Sequence, residues 1–199
     1  MDEGDNWLHL ALLGQLIEQP FYEELRTKQQ LGYIVQCGIT EADGVRAMVF
    51  NVQSSVLQPP QVEERIDAFL RSYRSTLAAM SDQELNVNRE SFAVQATDVD
   101  KRLGQQANRL WGEIVQRRYD YGRPWRTARR VRKVSKEQLL DFFDRVVAPG
   151  SPQGKRMATH VFAKSAAPGA LVVDALPSVF YPPPPQRVPG SREGLRDVV

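Results

Sequence analysis

Residues 18–35 read EQPFYEELRTKQQLGYIV, and the change of pattern inside this stretch decides the fold. Pro20 interrupts a helical spacing, and Phe21 to Arg26 reads as one short further turn. From Leu31 the pattern changes: LGYIVQCGI (31–39) is rich in strand formers. Asp43-Gly44 is a hairpin turn signal, and VRAMVFNVQ (45–53) reads as the returning strand. Upstream, Asp5 is placed to cap a first helix in which Trp7, Leu8, Leu12, Leu13, Leu16 and Ile17 recur at helical spacing. The quoted stretch therefore joins a helix to an antiparallel strand pair, one side of which must be covered.

Downstream the chain reads mostly as helix. Pro59-Pro60 opens a segment whose Val62, Ile66, Phe69, Leu70, Tyr73 and Leu77 form one stripe. Ser81-x-x-Glu84 is a capping box, and the helix after it is expected to run through Phe92 toward Leu103, with a break at Gly104. Leu110, Trp111, Ile114 and Val115 give another amphipathic helix, and Asp120 to Pro124 a turn. Ser135-x-x-Gln138 is a second capping box before Leu139, Leu140, Phe143, Val146 and Val147. After a loop at Pro149–Gly154, RMATHVFA (156–163) is expected to return as a strand to the sheet. The sum is an α+β domain over residues 1–165, an antiparallel-containing sheet with helices covering one face, followed by a Pro-rich, poorly ordered tail over 166–199.

Composition narrows the chemistry. With 199 residues, 42% apolar and 25% charged, the chain can bury a core without disulfides or metals. Cys37 is the single cysteine, which excludes an internal disulfide framework and any Cys₂ or Cys₄ zinc site. His9 and His160 lie too far apart in sequence for a close His pair. The acidic start Met-Asp-Glu-Gly-Asp does not resemble a secretory leader, and no apolar run approaches a membrane span. A cytoplasmic setting is expected, with a mitochondrial one left open.

Several motifs fail on inspection. Gly150 to Arg156 imitates a phosphate loop, but the spacing is one short and Arg156 stands where a magnesium-binding hydroxyl is needed. Cys37 reads as a buried small residue rather than a nucleophile, and His160 as a structural histidine on a strand. Residues 101–133 hold eleven Lys/Arg against Glu113 and Asp120, while the rest of the chain is net acidic. Polyanion or nucleic-acid binding is one reading of that segment. The preferred reading is that its arginines are solvated or pair with the acidic front, because no nucleic-acid motif accompanies them.

The motif L-R-T-K-x-x-L-G-Y-x-V, matched at Leu25, Arg26, Thr27, Lys28, Leu31, Gly32, Tyr33 and Val35, resembles a hallmark of the insulin-degrading enzyme and nardilysin branch of the pitrilysin family of inverted-motif zinc peptidases. Trp111-Gly-Glu-Ile-Val with Tyr119, then Ser135 to Phe143, then Thr159-His160-Val161, are similar to later segments of the same family in the same order. The resemblance runs from about Trp7 to Lys164 and implies a pitrilysin-type C-terminal domain lacking its first strand. An open sheet edge of that kind would favour self-association.

In that family four similar domains form two halves around a chamber, and zinc sits in the first domain on an H-x-x-E-H helix. Such a motif cannot exist here. The resemblance therefore implies a non-catalytic domain, with no cofactor in this chain and zinc in the complete enzyme. It would supply chamber wall and substrate contacts to a partner chain or domain bearing the zinc motif. By the same resemblance Arg26 and Tyr33 would reach the peptide substrate and donate to the scissile carbonyl or its developing oxyanion. Gly32 would let the backbone approach that peptide. Read without the motif, Arg26 is a surface ion-pair partner and Tyr33 a half-buried strand residue. A stand-alone peptide- or partner-binding module is the alternative function.

Overall fold

The computed structural model describes residues 3–42 and 45–163. The Asp43-Gly44 turn and the Pro-rich tail lie outside them. Helix α1 (Glu3–Tyr22) runs straight into a π-helical segment (Glu23–Lys28), then strands β1 (Gly32–Ala42) and β2 (Val45–Ser54). Helices α2 (Pro59–Ala79), α3 (Asp82–Ala96), α4 (Leu103–Val115), α5 (Arg123–Val131) and α6 (Lys136–Phe142) follow, and a second π-helical segment (Phe143–Val147) ends the order.

Helix α1 lies at the centre. Leu12, Leu13, Ile17 and Phe21 are fully buried, and α1 packs against both strands, α3, α5 and α6. A helix that is apolar nearly all round has this as its stable place. It begins before Asp5, so Asp5 lies inside the helix rather than capping it. Nor does Pro20 end it. Proline removes the N–H that would bond the Leu16 carbonyl. Tyr73 of α2 restores the bond: its hydroxyl donates to that carbonyl at 3.0 Å in a buried position. The donor comes from 57 residues away, so local sequence does not reveal it.

Strands β1 and β2 pair antiparallel from Gly32↔Ser54 to Ala42↔Val45. Phe50 of β2 meets Phe21 of α1 at 5.1 Å, and Phe21 continues to Phe69 at 5.3 Å, so helices cover one face of the sheet through an aromatic run. Gly14 allows this packing, since a methyl there would sit 2.8 Å from Ile39 of β1. The sheet has two strands among the described residues. The strand expected at 156–163 is not formed: these residues carry no sheet pairing and are exposed. They are tied to α2 instead, Arg156 to Glu63 at 2.8 Å and to Asp67 at 2.6 Å, and His160 to Glu63 at 2.8 Å. Strand propensity makes a strand only where an edge accepts it, and here the ion pairs to α2 hold the segment.

Helix boundaries follow caps. At α3 the Ser81 hydroxyl accepts from the Glu84 N–H at 3.1 Å, the one half of the expected box that forms. Helix α3 stops at Ala96, where the Thr97 hydroxyl donates back to the Ala93 carbonyl at 2.9 Å. It does not reach Leu103. Gly104 lies inside α4, and Arg123 and Pro124 open α5 rather than ending a turn. The Ser135–Gln138 box of α6 is complete.

Candidate functional site

Arg26 and Tyr33 come together although a change of backbone type separates them. Arg26 sits in the π-helical segment, whose wider turn is seen in the Gln29 N–H bonding the Glu24 carbonyl at 3.0 Å. The segment is held from two sides. Leu25 is buried, and the Glu24 carboxylate takes Gln29 at 3.1 Å and Lys28 at 3.2 Å. Those bonds, Gln29 before Lys28, hold the Glu24 carboxyl below its ordinary range. Gln30 then adopts a left-handed φ of 52°, and the Leu31 N–H returns to the Leu25 carbonyl at 3.0 Å. The chain reverses over three residues and delivers buried Leu31 to the start of β1.

A β-bulge follows at once. Gly32 pairs with Ser54 and Ile34 with Gln53, so Tyr33 is the extra residue. A bulged residue leaves the pleat, and Tyr33 is 83% exposed, far more than the half-buried strand residue otherwise expected. The Ser54 hydroxyl fixes the corner by donating to the Leu31 carbonyl at 2.5 Å and accepting from the Leu57 N–H at 3.0 Å. Gly32 is needed because a methyl there would overlap the Gln53 carbonyl oxygen and lie 2.9 Å from Ser54 Cα. The close approach that Gly32 permits is thus to its own partner strand, where the resemblance implied a bound peptide.

Across this corner the Arg26 guanidinium stands 5.8 Å from the centre of the Tyr33 ring. That is cation–π range, and it orients a five-donor cation beside a phenol. The pair presents donors to solvent and can bind a carbonyl or anionic oxygen. Sequence reasoning singled out both side chains. It missed the corner that Gln30, Ser54 and the bulge build around them. The signal for it was Gln-Leu-Gly-Tyr, a left-handed residue and a glycine bracketing a buried leucine.

The other candidates have different surroundings. Burial, then the Glu18 carboxylate, pushes the Cys37 thiol up to about 12, which suits a packed residue and not a nucleophile. His9 is buried against Phe142 at 5.5 Å. His160, expected on a strand, lies on the surface segment beside Glu63. Among the described residues no group of three His, Cys, Asp or Glu side chains could hold a metal ion.

Five of the eleven cations of the basic segment meet acids among the described residues. Arg109 pairs with Asp100 at 2.8 Å, Arg126 with Asp120, and Arg132 with Glu90 at 3.0 Å. Arg118 and Arg123 converge on Glu113, which is 5% exposed, at 3.3 and 2.7 Å. Arg118 also reaches Glu41 at the far end of β1, and Arg46 of β2 bonds Glu41 at 3.1 Å while lying over the Trp7 ring at 4.4 Å. Burial raises the Glu113 carboxyl, but Arg118 and Arg123 outweigh it and bring it below 4.5. These arginines tie the hairpin to the helices.

Comparison with known proteins gives a consistent result. The sequence model of a family described as PQQ synthase PqqF-like, C-terminal lobe domain 4, matches residues 12–111. Human insulin-degrading enzyme is 30% identical over 158 residues, which is 79% of this chain and 15% of that protein. A nardilysin-like protein of Arabidopsis thaliana is 30% identical over 153 residues, 77% of this chain and 15% of that protein. The crystal structure of pitrilysin superposes with a TM-score of 0.63 at 28% identity, covering 74% of this chain and 16% of that one. The chain thus spans about a sixth of the length of the proteins it matches.

Proposed function

The chain belongs to the PqqF-like family as a C-terminal lobe domain, with the α+β fold of pitrilysin, and on that footing we propose that it is the non-catalytic, substrate-contacting domain of a zinc metalloendopeptidase acting on peptides. The observation that carries this reading is the Arg26–Tyr33 pair, an exposed phenol beside a half-buried guanidinium at a corner that a π-helical turn and a bulge build around it. A guanidinium and a phenol held side by side donate to the oxygen of a peptide carbonyl. They hold it more strongly as negative charge develops there, which favours the transition state over the bound substrate. The cation–π contact limits the freedom of both side chains before binding, so less ordering is left to the encounter. The remaining catalytic groups belong, in this reading, to another domain or chain.

The purified chain should bind a fluorescein-labelled peptide in an anisotropy assay, and Arg26→Ala should weaken that binding. It should not cleave a quenched fluorescent peptide, with or without zinc. Hydrolysis that a chelator abolishes would overturn the reading. In an assembly with a zinc-bearing half, Tyr33→Phe should lower kcat by about a hundredfold with little change in KM, the signature of a donor used in the transition state. An equal fall in affinity with kcat unchanged would make Tyr33 a binding residue only.

A further inference from the structure

The two faces of the hairpin differ in kind. Burial alternates along β2, and the inward row, Met48, Phe50 and Val52 with Cys37 and Ile39 of β1, packs against the core. The outward row pairs Ile34 with Gln53, Gln36 with Asn51, Gly38 with Val49 and Thr40 with Ala47. A quarter of the chain's residues are charged, yet this row holds no charged residue. The hairpin's two charges, Glu41 and Arg46, lie on the other face, half-buried and paired at 3.1 Å. Gly38 is the second peculiarity. Glycine inside a strand weakens it, and it marks a bulge, a bend or a place where a ligand or another backbone comes close. Nothing in the fold asks for this one. The ladder is regular at Gly38, its backbone is not left-handed, and a methyl there would meet nothing within 4 Å beyond its chain neighbours. The opening it leaves lies on the same row as exposed Gln36 and Thr40. That row begins at Ile34, next to the bulge that carries Tyr33, and Gly38 is about 13 Å further along β1, the length of four residues of extended chain.

We infer that this outward row is a track for an extended, uncharged segment of the peptide substrate, which leaves the Arg26–Tyr33 pair, crosses Gln36 and Asn51, and passes closest to the sheet at Gly38. The inference rests on the reading above that the pair binds a peptide carbonyl. Three observations choose the occupant. The row is continuous with the pair, so a chain held at Tyr33 has this face as its next surface. Gln36, Asn51 and Gln53 each offer a donor and an acceptor, which suits the alternating N–H and C=O groups of an extended main chain whatever its side chains. The row also holds no counter-charge, so a charged side chain brought onto it would lose water with nothing in return. At Gly38 a peptide backbone can come nearer than any side chain would allow. Gly32 uses its close approach on its own partner strand, and Gly38 keeps one open on the outward face.

The test uses the full chain with two fluorescein-labelled peptides, each about eight residues long, one without charged side chains and one with glutamate at two central positions. Anisotropy should show the neutral peptide bound more tightly by wild type. Gly38→Val should weaken that binding about tenfold, the equivalent of about one lost hydrogen bond, and Gly38→Ala by less. Neither should lower the urea midpoint, because the added carbons enter open space and a β-branched residue suits a strand. Gln36→Lys should shift the ratio of the two affinities toward the glutamate peptide by about threefold, as an exposed ion pair does. A damaged fold would not give that gain. Neutral-peptide binding unchanged in both Gly38 variants, or a ratio unchanged by Gln36→Lys, would overturn the inference. So would a dimer of the chain alone, seen by sedimentation velocity and abolished by Gly38→Val, which would give the row to a second copy. Arg26→Ala separates the two readings. If it abolishes binding and the Gly38 variants leave binding intact, the pair is a site and the track is wrong. If the Gly38 variants weaken binding and Arg26→Ala does not, the row holds peptide and the functional reading fails. No binding of either peptide by wild type would overturn both.

Discussion

Pro20 inside α1 should make the stability of this domain depend on one phenol. In the folded chain the Leu16 carbonyl has lost its helical donor to Pro20 and accepts the Tyr73 hydroxyl at 3.0 Å. Tyr73→Phe keeps the ring, which stacks on Phe69 at 5.6 Å and meets Phe143 at 6.3 Å, and removes only the donor. A buried carbonyl left without a partner costs about 2 kcal/mol. For a domain of this size that is a fall in Tm of about 4–8 °C. Pro20→Ala restores an N–H four residues after Leu16, so in that background the carbonyl keeps a donor when the hydroxyl is removed. There Tyr73→Phe should cost under about 1 kcal/mol. Urea unfolding of the four proteins, followed by tryptophan fluorescence, gives the coupling as the difference between the two costs. A coupling of about 1–2 kcal/mol is expected, well above the scatter for independent sites. If Tyr73→Phe costs the same in the wild-type and the Pro20→Ala backgrounds, the hydroxyl does not stand in for the missing N–H, and α1 continues past Pro20 for another reason.

Gly32→Ala should destabilise by about 3 kcal/mol, the loss of some three hydrogen bonds as β1 moves off Gln53 and Ser54; an unchanged urea midpoint would show that the bulge does not depend on glycine. Glu113→Gln should cost about 3 kcal/mol at pH 7 by leaving Arg118 and Arg123 half-buried against a neutral group. Because the folded carboxyl lies below its ordinary 4.5, its stabilisation is complete above that pH and is lost as the pH falls through the lowered value, so Glu113→Gln should also flatten the acid limb of a stability–pH curve. Cys37, with its thiol pushed up to about 12, should react with a disulfide reagent at pH 8 about a thousandfold more slowly than an ordinary thiol, and at the normal rate in denaturant.

Features set by neighbours in sequence were legible. The hairpin follows from alternating strand formers around Asp43-Gly44, α2 from its apolar stripe behind two prolines, and α6 from a complete box at Ser135 and Gln138. Features set by distant groups were not. The course of α1 past Pro20 depends on a hydroxyl in α2, and the failure of 156–163 to form a strand depends on Glu63 and Asp67 in α2. Helix α4 shows the same limit in another form. Its periodicity was readable and its helix is present, but a stripe at helical spacing says which residues share a face, not which face is buried. Glu113 decides that, by meeting two arginines that follow it in the chain.

The motif that carried the family resemblance divides by what each residue does. Leu25, Leu31 and Val35 are buried, and packing accounts for them. Gly32 is required by the Gln53 carbonyl. Lys28 closes on Glu24 within the π-helical turn. Thr27 is exposed on the same turn, and Arg26 and Tyr33 are the two that meet. Neither is in the core, and folding places no demand on a tyrosine left 83% in water. Yet the structural residues are arranged around these two. The π-helical turn sets where Arg26 emerges, the left-handed Gln30 reverses the chain, and the bulge turns Tyr33 out to meet the guanidinium at 5.8 Å. Wide turns and bulges cost regular hydrogen bonding and are concentrated where a side chain must be aimed. Two such irregularities in a run of twelve residues, converging on a half-buried guanidinium and an exposed phenol, favour a site over a surface contact. Straightening the bulge while keeping both side chains is therefore the sharper test of that pair. Deleting a residue so that Tyr33 enters the regular ladder should abolish peptide binding as fully as Arg26→Ala does, and unchanged binding would mean that the corner does not position the pair.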